Sequence, residues 1–283
     1  MSGPVSERYR GQRVSLLTKH GKEAALGPAL REIGCVLHVV SGFDTDELGT
    51  FTREIPRRGT QLEAAREKAR LALAKGGARL GLGSEGAFTP GPMGLFAWNV
   101  ELVVLLDAEL GIEIVGRAEG PGHHLHATVR SESELVAFAS RALFPEHGLV
   151  VRPDDERGKP VAQGGDDGAA LTRAFRTAAE RSTGGAVFVE SDLRAHRNPT
   201  RMARIAEAGR DLAARMSQTC PRCAAPGFGR AARLPGLPCA DCGAPTSAAQ
   251  AERWDCVRCG ASETRALSPG ERADPACCPY CNP

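Results

Sequence analysis

Apolar and polar positions along the chain fall into two periods. RVSLL (Arg13 to Leu17) and CVLHVV (Cys35 to Val40) are short, nearly continuous apolar runs that read as buried strands. Between them, residues 23 to 32 carry the spacing of a helix. This strand, helix, strand opening predicts parallel pairing through a right-handed crossover. TQLEAAREKARLALAK (Thr60 to Lys75) is the clearest helix: Leu62, Ala65, Ala69 and Leu73 share one face, and Thr60 with Glu63 forms a capping box. ARLGLGSEGAF (Ala78 to Phe88) reads as a strand that breaks at Ser84-Glu85-Gly86, and residues 99 to 120 as an antiparallel hairpin turning near Asp107 to Gly111. A helix at about 131 to 143, a strand at 148 to 151, a polar loop from Arg152 to Gly168, a helix at 169 to 181 and a strand at 186 to 190 follow. Asn198 caps the last helix, to about Met216, with Pro199 at its first position. Strands alternating with helices predict an α/β layered fold, its mostly parallel sheet carrying one antiparallel hairpin.

Near Ser217 the pattern gives way to a segment rich in Cys, Pro and Gly, so the expected domains are 1–217 and 218–283. Ample apolar composition, 42%, supports a buried core, and neither a signal-peptide core nor a membrane-spanning run is present; Val100 to Leu106 is short and interrupted by Glu101. The expectation is a cytoplasmic protein with no membrane partner. In that reducing setting cysteines serve ends other than disulfides. Of ten, Cys35 stands alone at a strand start and reads as a core thiol.

The remaining nine lie between Cys220 and Cys281 and include four C-x-x-C knuckles. Two residues between thiolates let one tight turn aim both sulfurs at a single ion, and two knuckles complete a tetrahedron. Two structural zinc ions are therefore predicted, forming a double zinc ribbon. Sequential pairing places Cys220, Cys223, Cys239 and Cys242 on one ion and Cys256, Cys259, Cys278 and Cys281 on the other; an interleaved, cross-braced arrangement is the alternative. Cys277 is a spare thiol. From Gln218 onward seven Arg face six acids, and two four-thiolate sites subtract four charges, leaving the segment near −3. Such a balance disfavours nucleic acid as partner of the tail by itself and makes a structural or protein-docking module the default.

Ligands of open α/β sheets gather where strands end. After the first strand come Lys19 and Lys22 at a helix start, suited to phosphate oxygens. Glu85 follows another strand and could hold Mg²⁺, with Glu63 and Lys68 on the capped helix facing the same cleft; capping alone also accounts for Glu63. After the strand at 186 to 190 come Arg194, His196, Arg197 and Arg201, donors converging on a helix start. His123, His124 and His126 in GPGHHLHAT read as a surface loop rather than a metal site.

TKHGKE, GFDTDELGTFT, PRRGTQLEAAREKA, GSEGAF, RAHRNPTRM, PGLPCADCG and CPYCNP together resemble an uncharacterised bacterial family in which an α/β region precedes two Cys-rich ribbons. Residues 13 to 117 are also similar in order to pyrophosphatases that hydrolyse inosine and xanthosine triphosphates, through TKHGKE, the EAAREKA helix and SEG. That resemblance implies phosphate held by Lys22 or Lys19, Mg²⁺ by Glu63 and Glu85, and support from Lys68. This chain departs from the pattern at His20, Glu23, Ala64 and the single acid Glu85. The alternative is a non-enzymatic adaptor whose ribbons contact nucleic acid or protein.

Overall fold

The computed structural model describes residues 7–41, 59–165, 167–267 and 269–283. GFDTDELGTFT lies outside them, as does most of the PRRG that precedes the capped helix.

Three sheets build the described chain. In the first, β1 (Arg13–Leu17) lies parallel to β2 (Val36–Val40) on one side and to β3 (Leu80–Pro90) on the other, with α1 (Glu23–Glu32) crossing over from β1 to β2. Antiparallel pairing then carries the sheet through β4 (Ala97–Asp107) to β5 (Ile112–Gly122). The turn after β4 is held by Asp107, whose carboxylate accepts the backbone N–H groups of Glu109 and Leu110. Neighbouring side chains on β4 face opposite ways. Val104 packs under Ala65 and Ala69 of α2 (Gln61–Gly76), while Val103 and Leu105 join Leu26 and Leu30 of α1 with Ile205, Ala208 and Leu212 of α5 (Pro199–Ser217). The result is a helix, sheet, helix sandwich.

The second sheet is antiparallel throughout, in the order β6 (His126–Val129), β9 (Val187–Ser191), β7 (Leu149–Pro153), β8 (Ala162–Gly164). Leu135 and Phe138 of α3 (Glu132–Arg141) and Leu171 and Phe175 of α4 (Gly168–Arg181) cover it with a core of their own. The mixed α/β class is as expected, with parallel pairing confined to β1 and its two neighbours. Two local expectations need correcting. β3 does not break at Ser84-Glu85-Gly86 but runs on to Pro90, because β4 pairs with it over its full length. The polar loop after β7 contains β8, which the β7 edge recruits.

Both caps form as read. Thr60 Oγ1 accepts from the Glu63 N–H while the Glu63 carboxylate accepts from the Thr60 N–H, and Asn198 Oδ1 accepts from the Arg201 N–H ahead of Pro199. Cys35 is buried, which raises its thiol to about 11. α5 ends at Ser217, and beyond it β10 (Phe228–Pro235), β11 (Ala249–Cys256) and β12 (Ser262–Ala266) form the third, antiparallel sheet. No helix among the described residues is long and apolar enough to cross a membrane.

Candidate metal centres and a buried charge cluster

The four knuckles assemble two four-sulfur clusters, Cys220, Cys223, Cys256 and Cys259 in one and Cys239, Cys242, Cys278 and Cys281 in the other. The sequential pairing is therefore corrected to the interleaved one. Strand register is the reason. Phe228 of β10 pairs with Cys256 of β11, which sets the knuckle preceding β10 beside the knuckle following β11. At the other end of the sheet, Ala273 N–H donates to Pro238 O and Ala240 N–H to Ala273 O, drawing the last segment against the knuckle between β10 and β11. Within the clusters Cys220 lies 3.7 Å from Cys259, Cys223 3.7 Å from Cys256, Cys242 3.7 Å from Cys278 and Cys239 3.9 Å from Cys281, measured between sulfurs. The knuckles turn through left-handed backbone at Gly243 and Gly260, where a side chain would be strained; Ala224 occupies the equivalent position in the first knuckle with φ of 55°. N–H groups of Arg222 and Arg258 donate to the sulfurs of Cys220 and Cys256 at 3.4 Å. Cys277 is in neither cluster.

A second concentration of charge lies where β1 stops and β3 continues. Pairing of β1 with β3 ends at Leu82, so the next residues of β3 face the start of α1. There Lys22 Nζ donates to Ser84 O at 3.0 Å and Ser84 Oγ at 3.3 Å. Lys68 of α2 donates to Glu85 Oε2 at 2.5 Å. Arg201 of α5 donates from Nε to Glu101 Oε1 at 2.6 Å and from Nη1 to Leu193 O at 2.5 Å, and Asn99 Nδ2 donates to the same Glu101 oxygen at 3.1 Å. All five charged side chains are buried. Gly86 makes the contact fit: a Cβ there would stand 2.2 Å from Glu101 Oε1 and 2.5 Å from Arg201 Nη2. Burial, then the guanidinium of Arg201 and the ammonium of Lys68, pull Lys22 down to about 7 against the opposing pull of Glu101 and Glu85.

The structure thus brings together Lys22, Lys68, Glu85 and Arg201 of the residues singled out above. It does not bring Glu63, whose exposed carboxylate is used by its capping box and held low by hydrogen bonds from Thr60. Lys19 is exposed. Arg194 is clamped on Asp192 with contacts of 2.6 to 3.1 Å, and exposed His196 stacks on His20 with ring centroids 5.0 Å apart, so the segments after β1 and β9 meet. Arg197 passes its carbonyl to the Gly148 N–H. His123 lies 4.7 Å from His147, ring to ring, and His147 bonds Thr200 at 2.9 Å; burial and the His123 charge lower His147. The only metal-type groupings of His, Cys, Asp and Glu among the described residues are the two cysteine clusters, so the three-histidine loop supplies none. Sequence reasoning missed Glu101, Asn99 and Ser84. Glu101 left a trace, as the one charge interrupting an apolar run.

Fold and sites together define a mixed α/β protein with a buried charge cluster at its strand ends and a cross-braced ribbon carrying two four-cysteine clusters able to hold metal ions. Residues 68–283 match the family described as a domain of unknown function (DUF6671), and the chain belongs to that family. No curated protein and no solved structure matches it.

Proposed function

We propose that the buried charge cluster beside β3 binds a phosphorylated small molecule of the nucleotide class, and that two zinc ions hold the ribbon. The observation carrying the first part is Lys22. Its neighbours Lys68 and Arg201 each have a carboxylate, whereas the buried ammonium of Lys22 bonds only the neutral oxygens of Ser84 among the described residues. Burial and the neighbouring charges of Arg201 and Lys68 disfavour that ammonium more than Glu101 and Glu85 support it, and its lowered titration reflects the balance. A phosphate oxygen entering beside it would restore the full charge and gain a strong charge-assisted bond.

Support for zinc comes from the sulfurs. Zn–S bonds of about 2.3 Å in a regular tetrahedron place sulfurs about 3.8 Å apart, close to the 3.7 to 3.9 Å found. When bound, zinc supplies a cross-link that the small ribbon core does not provide. Among the described residues Mg²⁺ finds no comparable set. Glu63 points to solvent in its cap, and Glu85 is held by Lys68. The reading is therefore phosphate binding by cations, with pyrophosphate release followed as a separate arm.

The test is calorimetric titration of the zinc-loaded protein with inorganic pyrophosphate and purine nucleoside triphosphates, beside Lys22→Met and Glu85→Gln. Binding should weaken at least tenfold in Lys22→Met and weaken as pH rises above about 7. A wild-type protein that binds none of these anions, or a Lys22→Met variant that binds them equally, would overturn the reading. Pyrophosphate release with added Mg²⁺, lost in Glu85→Gln, would extend it to hydrolysis.

A further inference from the structure

We propose that a groove between the first sheet and the ribbon binds single-stranded nucleic acid. Its volume is about 640 Å³, and four arginines and two acids from three elements line it: Arg117 and Glu119 of β5, Arg215 and Asp211 of α5, and Arg230 and Arg233 of β10. Each is paired only within its own structural unit. Arg117 bonds Glu119 at 2.9 Å, Arg215 bonds Asp211 at 2.9 Å, and Arg230 and Arg233 share Glu252 at 3.0 and 3.8 Å. Among the described residues no ion pair joins the arginines of one wall to acids of the other. The ribbon wall therefore presents two arginines on one shared carboxylate, and each guanidinium, with five N–H donors, keeps donors to spare. A chain of phosphates laid between the walls would pair both sides at once.

Aromatic rings adjoin one of the lining residues, Glu119. Trp98 Nε1 donates to the same Glu119 carboxylate that holds Arg117, and Phe96, 42% exposed, stands 6.1 Å from the Trp98 ring. Met93 and Leu95 beside them are 88% and 74% exposed. Rings and guanidinium groups side by side offer stacking faces for bases next to donors for phosphates, the combination that holds unpaired strands. An acidic peptide would satisfy the arginines and leave the rings unused. The tail's net charge, near −3 with both metals, does not describe this surface, since Arg117 and Arg215 come from the α/β region.

The test uses the zinc-loaded full chain with a fluorescently labelled twelve-nucleotide RNA, its duplex, a nucleoside triphosphate and polyglutamate. Wild-type protein should bind the single strand with affinity that falls steeply with salt. Replacing Arg117, Arg230 and Arg233 together by Ala should flatten the log–log salt dependence by about two, at about 0.7 per phosphate contact, with zinc content and melting temperature unchanged. In Trp254→Phe, where Trp98 is the remaining indole, the single strand should quench its emission. No binding at 50 mM salt, as a low-salt condition, would overturn the proposal, as would a salt dependence indifferent to the triple substitution. Equal binding of duplex or polyglutamate would do the same, as would nucleoside triphosphate binding that the triple substitution weakens as much as it weakens binding of the strand.

Discussion

The α/β region and the ribbon keep their shapes by different means. In the first sheet a continuous apolar core runs from Val14 and Leu16 through Leu82 and Val103 to Ile205 and Leu212, and even the buried charges are tied to it by hydrogen bonds. Phe228 is the large apolar side chain among the described residues at the centre of the ribbon core, against Cys220 and Cys256, with Trp254 partly covering it and Arg265 stacked 4.3 Å over that indole. Burying so little apolar surface recovers only a few kcal/mol, less than the conformational entropy of some sixty residues. Area alone accounts for the first region, whereas the second would need the ligation proposed above. Removing metal tests that contrast most severely. Structural zinc contributes about 10–16 kcal/mol in small peptides, so exhaustive chelation should melt the ribbon, read as loss of the Trp254 near-ultraviolet signal in Trp98→Phe, while the α/β transition persists. Replacing Cys220 and Cys223 by Ser should release one zinc and make Cys256 and Cys259 reactive to alkylation, leaving Cys239, Cys242, Cys278 and Cys281 protected. Reactivity appearing at Cys239 and Cys242 instead would restore sequential pairing.

The same contrast governs what could be read from residues alone. The C-x-x-C spacing is a local property, so the ligands and their number were legible. Which knuckle meets which depends on the Phe228 to Cys256 register, a relation across twenty-eight positions that no knuckle encodes. Helix caps at Thr60 and Asn198 were legible for the same local reason. β3 was misread because Ser84-Glu85-Gly86 has loop composition, yet β4 supplies partners that override it. Within the charge cluster, Lys22, Glu85 and Arg201 were each visible beside a strand or helix end, and Lys68 through the capped helix it shares with Glu63. Glu101, which pairs with Arg201 one hundred positions away, was not.

That pair offers the next largest effect. Arg201→Met would leave Glu101, 0% exposed, with Asn99 as its hydrogen-bond donor. Removing one partner of a buried ion pair costs about 3–5 kcal/mol, to be measured by urea unfolding. Glu101→Leu added to Arg201→Met should recover part of the loss, because the Glu101 carboxylate is then no longer buried without its partner. A single substitution costing under about 1 kcal/mol would show that the site is wetter than its burial implies.

Lys22 makes a smaller, pH-dependent contribution. Its folded value, about 7, lies below the unfolded value of about 10.4, so between them the unfolded chain binds more protons and stability rises with pH. One proton gives at most about 1.4 kcal/mol per pH unit. Cys35, raised to about 11, acts in the opposite sense once its unfolded thiol titrates near 8.5, so the clean window is roughly pH 7 to 8.5. Over it, wild type should gain up to about 2 kcal/mol relative to Lys22→Met. Equal slopes for the two proteins would mean that Lys22 keeps its ordinary charge and would weaken the case for an anion drawn to it.

The smallest effect separates cap from catalyst. Thr60→Ala removes an N-cap and should cost about 1 kcal/mol, with Glu63→Ala costing less, since its carboxylate is exposed and among the described residues bonds the Thr60 N–H alone. Both variants should bind pyrophosphate as wild type does, because the capping box sits outside the cluster of Lys22, Lys68, Glu85 and Arg201. The Glu63 carboxylate is held below its usual range by Thr60, so its share of stability is present above about pH 4.3 and fades as pH falls through its folded value. Loss of anion binding in Glu63→Ala at neutral pH, without loss of helix, would instead give Glu63 the ligand role that the pyrophosphatase resemblance implies.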